Sequence, residues 1–148
     1  MSNKLRVLSC LGDRSGCGFY RCFIPAKELN NLNYECKLTT YINQEIIQFD
    51  PDIIIFQRQF DPKVKEYVNY WKSKGKVTIY DTDDLLLGEY IPLTNKARHV
   101  YIKERHNMIS FMKACDFMTV TTESLKNIYS KFNKHCFVLP NRSESTRL

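Results

Sequence analysis

Short apolar runs alternate with helix-period segments along the whole chain, and few folds accept that order. The runs fall at residues 5–10, 34–41, 51–57, 76–81, 116–122 and 135–140. "PDIIIFQ", residues 51–57, is apolar without alternation, as in a central parallel strand covered on both faces. The clearest helix follows it. Asp61 suits the N-cap and Pro62 the first helical position, while Val64, Tyr67, Val68 and Trp71 recur at i, i+3, i+4 and i+7. Gly75 suits the residue just past its end. A helix is also predicted over 23–30, with Pro25 admissible only in its first turn, and a long one over 96–114. Thr122 can cap another, whose buried stripe is Leu125, Ile128, Tyr129 and Phe132. Residues 85–95 carry Gly88 and Pro92 and predict a loop. Such alternation predicts an α/β fold: a Rossmann-like, doubly wound parallel sheet of about six strands in a single domain, with right-handed crossovers. The domain is expected to occupy 1–141. Residues 142–148 are polar and lack a period, so a tail or the start of an interdomain linker is expected there.

Composition removes several function classes. No apolar run approaches the roughly 18 residues that span a bilayer, and the N-terminus lacks the apolar stretch of a secretory leader. A cytoplasmic location is therefore expected. The formal net charge of +6 suits anionic partners and is compatible with peripheral contact with an anionic membrane. The positive charges are scattered, so no nucleic-acid partner is expected. The six cysteines form no C-x-x-C pair and no Cys/His cluster, which argues against zinc and for reduced, unpaired thiols. Cys10, Cys36 and Cys136 fall in strand-like runs. The three histidines share no spacing that suggests a site; His99, near the start of the long helix, is the one with reach toward the strand ends.

Three of the five glycines sit in "GDRSGCGFYR", residues 12–21, directly after the first run. Ligands of doubly wound sheets bind beyond the carboxyl ends of the strands. Gly16 and Gly18 allow close backbone approach there, and Arg21 can grip a phosphate or carboxylate. No Lys-Ser or Lys-Thr follows the glycines, which excludes a Walker A loop. Arg21 stands where a dinucleotide fingerprint needs its third glycine, so a standard NAD site is unsupported too. The plain alternative is a tight turn. "YDTDDLL" places Asp81, Asp83 and Asp84 at another strand end on the same edge. Crowded carboxylates need a cation, an arginine or a ligand hydroxyl to offset them. They are candidates for a general base or for sugar-hydroxyl recognition, against a capped, solvated turn as the plain alternative. A D-x-D spacing also suits Mg²⁺ or Mn²⁺. Arg21 either faces a ligand or neutralises Asp83 or Asp84 internally.

Taken in order, "GCGFYRCFIPAKEL", "PDIIIFQRQ", "KVTIYDTDDLL" with "IPLTN", "CDFMTVTTESLKNIYSKF" and "FVLPN" resemble the N-terminal half of GT-B glycosyltransferases. The closest likeness is to family 4, the glycosyltransferase group 1 type, and to a subgroup among bacterial and phage-encoded sugar transferases. Asp116 to Leu125 matches its D-x-x-x-x-x-T/S-E-x-L stretch, and Val138 to Asn141 its V-x-P-N strand end. The resemblance implies an acceptor-side domain, incomplete without a C-terminal donor-binding domain and inactive alone. It implies a nucleotide-sugar donor, a sugar or other hydroxyl acceptor, no cofactor and no required metal. Gly16, Gly18, Tyr20, Arg21, Asp84, Thr122 and Glu123 are then the expected substrate-binding residues. Asp81 stands where many members carry a histidine, and Asp81 and Asp83 are the candidate bases. The competing reading is a free-standing Rossmann-like module that binds a phosphate-bearing small molecule without catalysis.

Overall fold

The computed structural model describes residues 3–141; the expected tail or linker at 142–148 lies outside them. The strands are β1 (Arg6–Leu11), β2 (Glu35–Thr39), β3 (Ile53–Gln57), β4 (Val77–Thr82), β5 (Phe117–Val120) and β6 (Cys136–Val138). They form one six-stranded sheet in the order β2-β1-β3-β4-β5-β6, every pair parallel. This is the α/β, Rossmann-like sheet that the alternation predicts. The order reverses between β1 and β3, which makes their carboxyl ends the switch point where ligands of such sheets bind.

Right-handed crossovers with this order put the β1–β2 connection on one face and the later connections on the other. That connection is α1 (Gly16–Gly18), a π-helical turn (Phe19–Phe23) and α2 (Ile24–Asn31), in unbroken succession. The other face carries α3 (Gln44–Phe49), α4 (Pro62–Ser73), α5 (Arg98–Ala114) and α6 (Glu123–Tyr129). The main core lies beneath them. Leu8, Cys10, Ile54, Phe56, Tyr80 and Met118 alternate down the strands and pack with Phe49, Trp71, Phe111, Met112 and Tyr129. The Phe111 ring lies 5.1 Å from Phe56 and 5.6 Å from Tyr80, close enough for favourable aromatic contact. On the first face Val7, Ser9, Cys22 and Ala26 are buried, whereas Phe117 and Phe137 remain exposed. Among the described residues no helix is long and apolar enough to cross a membrane.

Three elements depart from the sequence-based expectation. Helix begins at Gly16 rather than near Phe23, so most of the glycine stretch is helical. Pro25 accounts for the π turn: it lacks an N–H, and its ring would crowd the carbonyl four residues back, that of Arg21. The wider turn absorbs both defects. Helix α3 was not expected; Asn43 caps it by accepting from the Ile46 N–H at 3.0 Å. The loop expected at 85–95 contains a 3₁₀ turn (Gly88–Tyr90), and Leu86 and Leu87 are fully buried in the core. Gly75 ends α4 at φ 73°, as its place past the helix suggests.

The two glycines of α1 differ in what surrounds them. A Cβ on Gly18 would stand 2.2 Å from the Asp13 carbonyl oxygen, whereas one on Gly16 would meet nothing within 4 Å. Gly16→Ala is therefore expected to leave urea stability unchanged or raise it by up to about 1 kcal/mol, alanine being the better helix former. Gly18→Ala is expected to lower it clearly. Equal effects from the two substitutions would show that the backbone approach at Gly18 is not a constraint.

Candidate functional site

The carboxyl ends of β1, β3, β4 and β5 meet at one edge, and two polar clusters form there. The first is an internal scaffold. Pairing places Gln57 beside Asp81, and Asp81 beside Thr119. Gln57 is fully buried; its Oε1 accepts from the Gly12 and Asp13 amides at 2.9 and 3.3 Å, and its Nε2 donates to Asp13 at 3.2 Å. One side chain thus pins the glycine stretch to the end of β3. Asp81 accepts from Nε of Arg21 at 3.0 Å, from Nη2 of Arg21, and from the Thr119 hydroxyl at 2.6 Å. Arg21 Nη1 donates to the Leu139 carbonyl and to Asn141 Oδ1. Burial alone would lower the Arg21 pKa, but the hydrogen bonds and charge of Asp81 outweigh it and the pKa rises.

Arg21 therefore pairs with Asp81 and not with Asp83 or Asp84, the expected partners. The reason lies in strand geometry. Asp81 is still inside β4 and shares a face with Val77 and Ile79, whereas Asp83 and Asp84 lie beyond the strand end. Asp81, expected as a candidate base, has both oxygens engaged, and both partners are only 3% exposed at the side chain.

The second cluster is centred on Arg58, the residue after β3, held at φ 52°. Its Nη1 donates to Cys17 Sγ at 2.8 Å and to Asp84 Oδ2 at 3.3 Å, and lies 3.5 Å from Asp13 and 3.9 Å from Asp83. Its Nη2 donates to the Tyr101 hydroxyl at 2.7 Å. Burial, then Asp83, pushes the Cys17 thiol up to about 11, so it is protonated at neutral pH. Three carboxylates against one guanidinium leave a formal charge of −2. Asp83 is the distinctive member. Its side chain is 10% exposed, and its Oδ1 is buried with no hydrogen-bond partner among the described residues. The turn that carries it is fixed: the Thr121 hydroxyl donates to the Asp83 carbonyl, and the buried Tyr129 hydroxyl donates to that of Asp84 at 2.9 Å while accepting from the Leu86 amide at 2.7 Å.

Cys17 Sγ and carboxylate oxygens of Asp83 and Asp84 lie within 4.8 Å of one another, a conceivable metal-donor set. Arg58 already supplies positive charge to all three. Of the other expected residues, Gly16 and Gly18 flank Cys17, which makes the contact. Tyr20 is exposed and packs edge-on against Phe19 at 5.4 Å. The Thr122 hydroxyl caps α6 by accepting from the Leu125 amide at 3.2 Å, and Glu123 is exposed on the first turn. His99 is exposed on α5 and bonds the Lys96 carbonyl. Arg58, Gln57 and Cys17 escaped the sequence reading, although "QRQ" after an apolar strand is a polar group at the ligand-binding edge. A cavity of about 830 Å³ lies at the opposite edge among Lys4, Arg6, Asp52 and Val77, away from the switch point. No protein-family model matches the chain, and no curated protein matches it.

Arg21→Ala would strand a buried carboxylate and is expected to cost about 3–5 kcal/mol in urea unfolding; the double replacement Arg21→Met with Asp81→Leu should cost much less. Equal losses would show that the pair's hydrogen bonds, not an unpaired charge, set the penalty. Asp13 titrates below its ordinary 3.8: burial would raise it, but the Ser15 and Gln57 hydrogen bonds and Arg58 outweigh burial. Its contribution to stability is present above the unfolded value and lost as pH falls through the folded one. Asp13→Asn should therefore flatten the acid limb of the stability profile below about pH 4, read from urea midpoints. An unchanged limb would remove Asp13 from the network.

Proposed function

We propose that this chain is the acceptor-side domain of a nucleotide-sugar-dependent glycosyltransferase, and that Asp83 is the base that takes the proton from the acceptor hydroxyl. The observation that carries the reading is the Asp83 carboxylate beside the switch point, whose Oδ1 is buried without a hydrogen bond among the described residues and lies 3.9 Å from Arg58. Through its exposed part the Asp83 carboxylate would accept a hydrogen bond from the acceptor hydroxyl and then take its proton, as the hydroxyl oxygen attacks the anomeric carbon of the donor sugar, the bond from that carbon to phosphate breaks and the nucleoside diphosphate leaves. Asp81 has no free oxygen for this role. Asp13 and Asp84 supply further acceptors for ring hydroxyls, and Arg58 offsets part of their charge. The donor would be held by a second domain across the cleft, and no step here calls for a metal. A module that only binds phosphate is less well supported at this cluster. Arg21 and Arg58 both face carboxylates, and a phosphate would meet net negative charge.

The chain alone is expected to transfer no sugar from UDP-glucose or GDP-mannose, because half a cleft cannot hold donor and acceptor in attack geometry. Joined to a donor-binding domain, it should transfer, and Asp83→Asn should lower kcat by about 10²–10⁴-fold with little change in KM. Transfer by the chain alone would overturn the two-domain reading, and a fully active Asp83→Asn enzyme would overturn the base assignment.

A further inference from the structure

A second cavity, of about 480 Å³, opens at the carboxyl ends of β1 and β2, on the same edge as the acidic cluster. Its wall includes Leu11, Arg14, Thr39, Thr40 and Tyr41. Arg6, Arg21, Arg58 and Arg105 each face a carboxylate, whereas among the described residues Arg14 and Arg98 do not, and of these two it is Arg14 that lines a cavity at this edge. Its Nη2 donates to the Thr40 hydroxyl at 2.9 Å, and it pairs with no carboxylate among the described residues. Lys37 also lines the cavity and stands 3.8 Å from Glu45, so the wall carries a formal charge of +1. A guanidinium has five N–H donors in a planar fork. With one directed to Thr40, the rest can meet an oxyanion in bidentate fashion. Thr40, accepting from Arg14, keeps its own O–H to donate. The volume lies within the range of small-ligand sites.

We infer that this cavity binds the phosphate group of a phosphate ester, and that the acceptor is a hydroxyl compound carrying that group. The second clause rests on the proposed function; the first stands without it. Adjacent residues of the glycine stretch serve the two sites. Asp13 belongs to the acidic cluster and Arg14 to the cavity. A ligand that satisfies both offers a neutral hydroxyl to one and an anion to the other. A sugar phosphate has that distribution, and so does a phospholipid headgroup bearing free hydroxyls.

The test titrates the 148-residue chain with glucose, glucose 6-phosphate and inorganic phosphate by calorimetry, and with phosphatidylglycerol vesicles by co-sedimentation. Glucose 6-phosphate should bind at least about tenfold more tightly than glucose, and inorganic phosphate should compete with it. Arg14→Ala, at an exposed position that leaves the core untouched, should abolish the difference. Lys134→Ala, which removes the same charge at the opposite edge, should preserve it. Arg14-dependent binding to vesicles without binding to glucose 6-phosphate would keep the phosphate site and assign its source to a lipid. Equal affinity for the two sugars without vesicle binding would overturn the inference, as would an Arg14→Ala chain that behaves like Lys134→Ala. Asp83→Asn should retain the discrimination, so the base assignment and this site fail independently.

Discussion

A charge pair sealed inside a protein holds only if its remaining hydrogen-bonding capacity is also met, because desolvation otherwise outweighs attraction. Arg21 and Asp81 meet that condition. Each guanidinium nitrogen has an acceptor, and the carboxylate receives a third donor from Thr119. The acceptors belong to β4 and to the chain beyond β6, so one side chain on the π turn ties the first helical segment to the far half of the sheet. The pair also sets what the edge can do. By cancelling each other, Arg21 and Asp81 leave Asp13, Asp83, Asp84 and Arg58 as the chemistry in reach of a ligand.

What remains is a graded edge. Gln57 holds the glycine stretch against β3 and Tyr129 holds the acidic turn from below, so the carboxylates are presented by fixed backbone. Arg58 adopts a left-handed conformation that a non-glycine residue rarely takes. The contacts of its side chain with Cys17, Asp84 and Tyr101 hold it there. Strain at such a position is commonly found where a site depends on it. Toward β2 the sign of the charge changes within one residue, from Asp13 to Arg14.

The fold was legible because strand and helix periods alternate cleanly and because "PDIIIFQ" has the composition of a central strand. The acidic edge was legible for a related reason: Asp83 and Asp84 follow a strand, and topology puts strand ends together. The pairing of Arg21 was not. Choosing among Asp81, Asp83 and Asp84 requires knowing that β4 continues through Thr82, and strand ends are poorly marked in sequence. The helical state of Gly16 and Gly18 ran against their low helix propensity; the close passage of Gly18 over the Asp13 carbonyl is a tertiary constraint with no local signal. Arg58 was hidden differently. A lone arginine after a strand looks like any solvated charge until its five neighbours are assembled from distant segments.

Those distances bear on the order of events in folding. Arg21 lies 60 residues from Asp81 and 118 from the Leu139 carbonyl that it contacts. Contacts of such separation form only after intervening loops have closed, which costs chain entropy without early return. The fork is therefore expected to engage only when β4 and the end of β6 come together. An interaction made after the rate-limiting barrier slows unfolding while leaving the folding rate nearly unaltered. A contact of that reach is expected to act as a latch on the finished domain, so that Arg21→Met with Asp81→Leu speeds unfolding more than it slows folding; a matching drop in the folding rate would show that the fork is already made at the barrier.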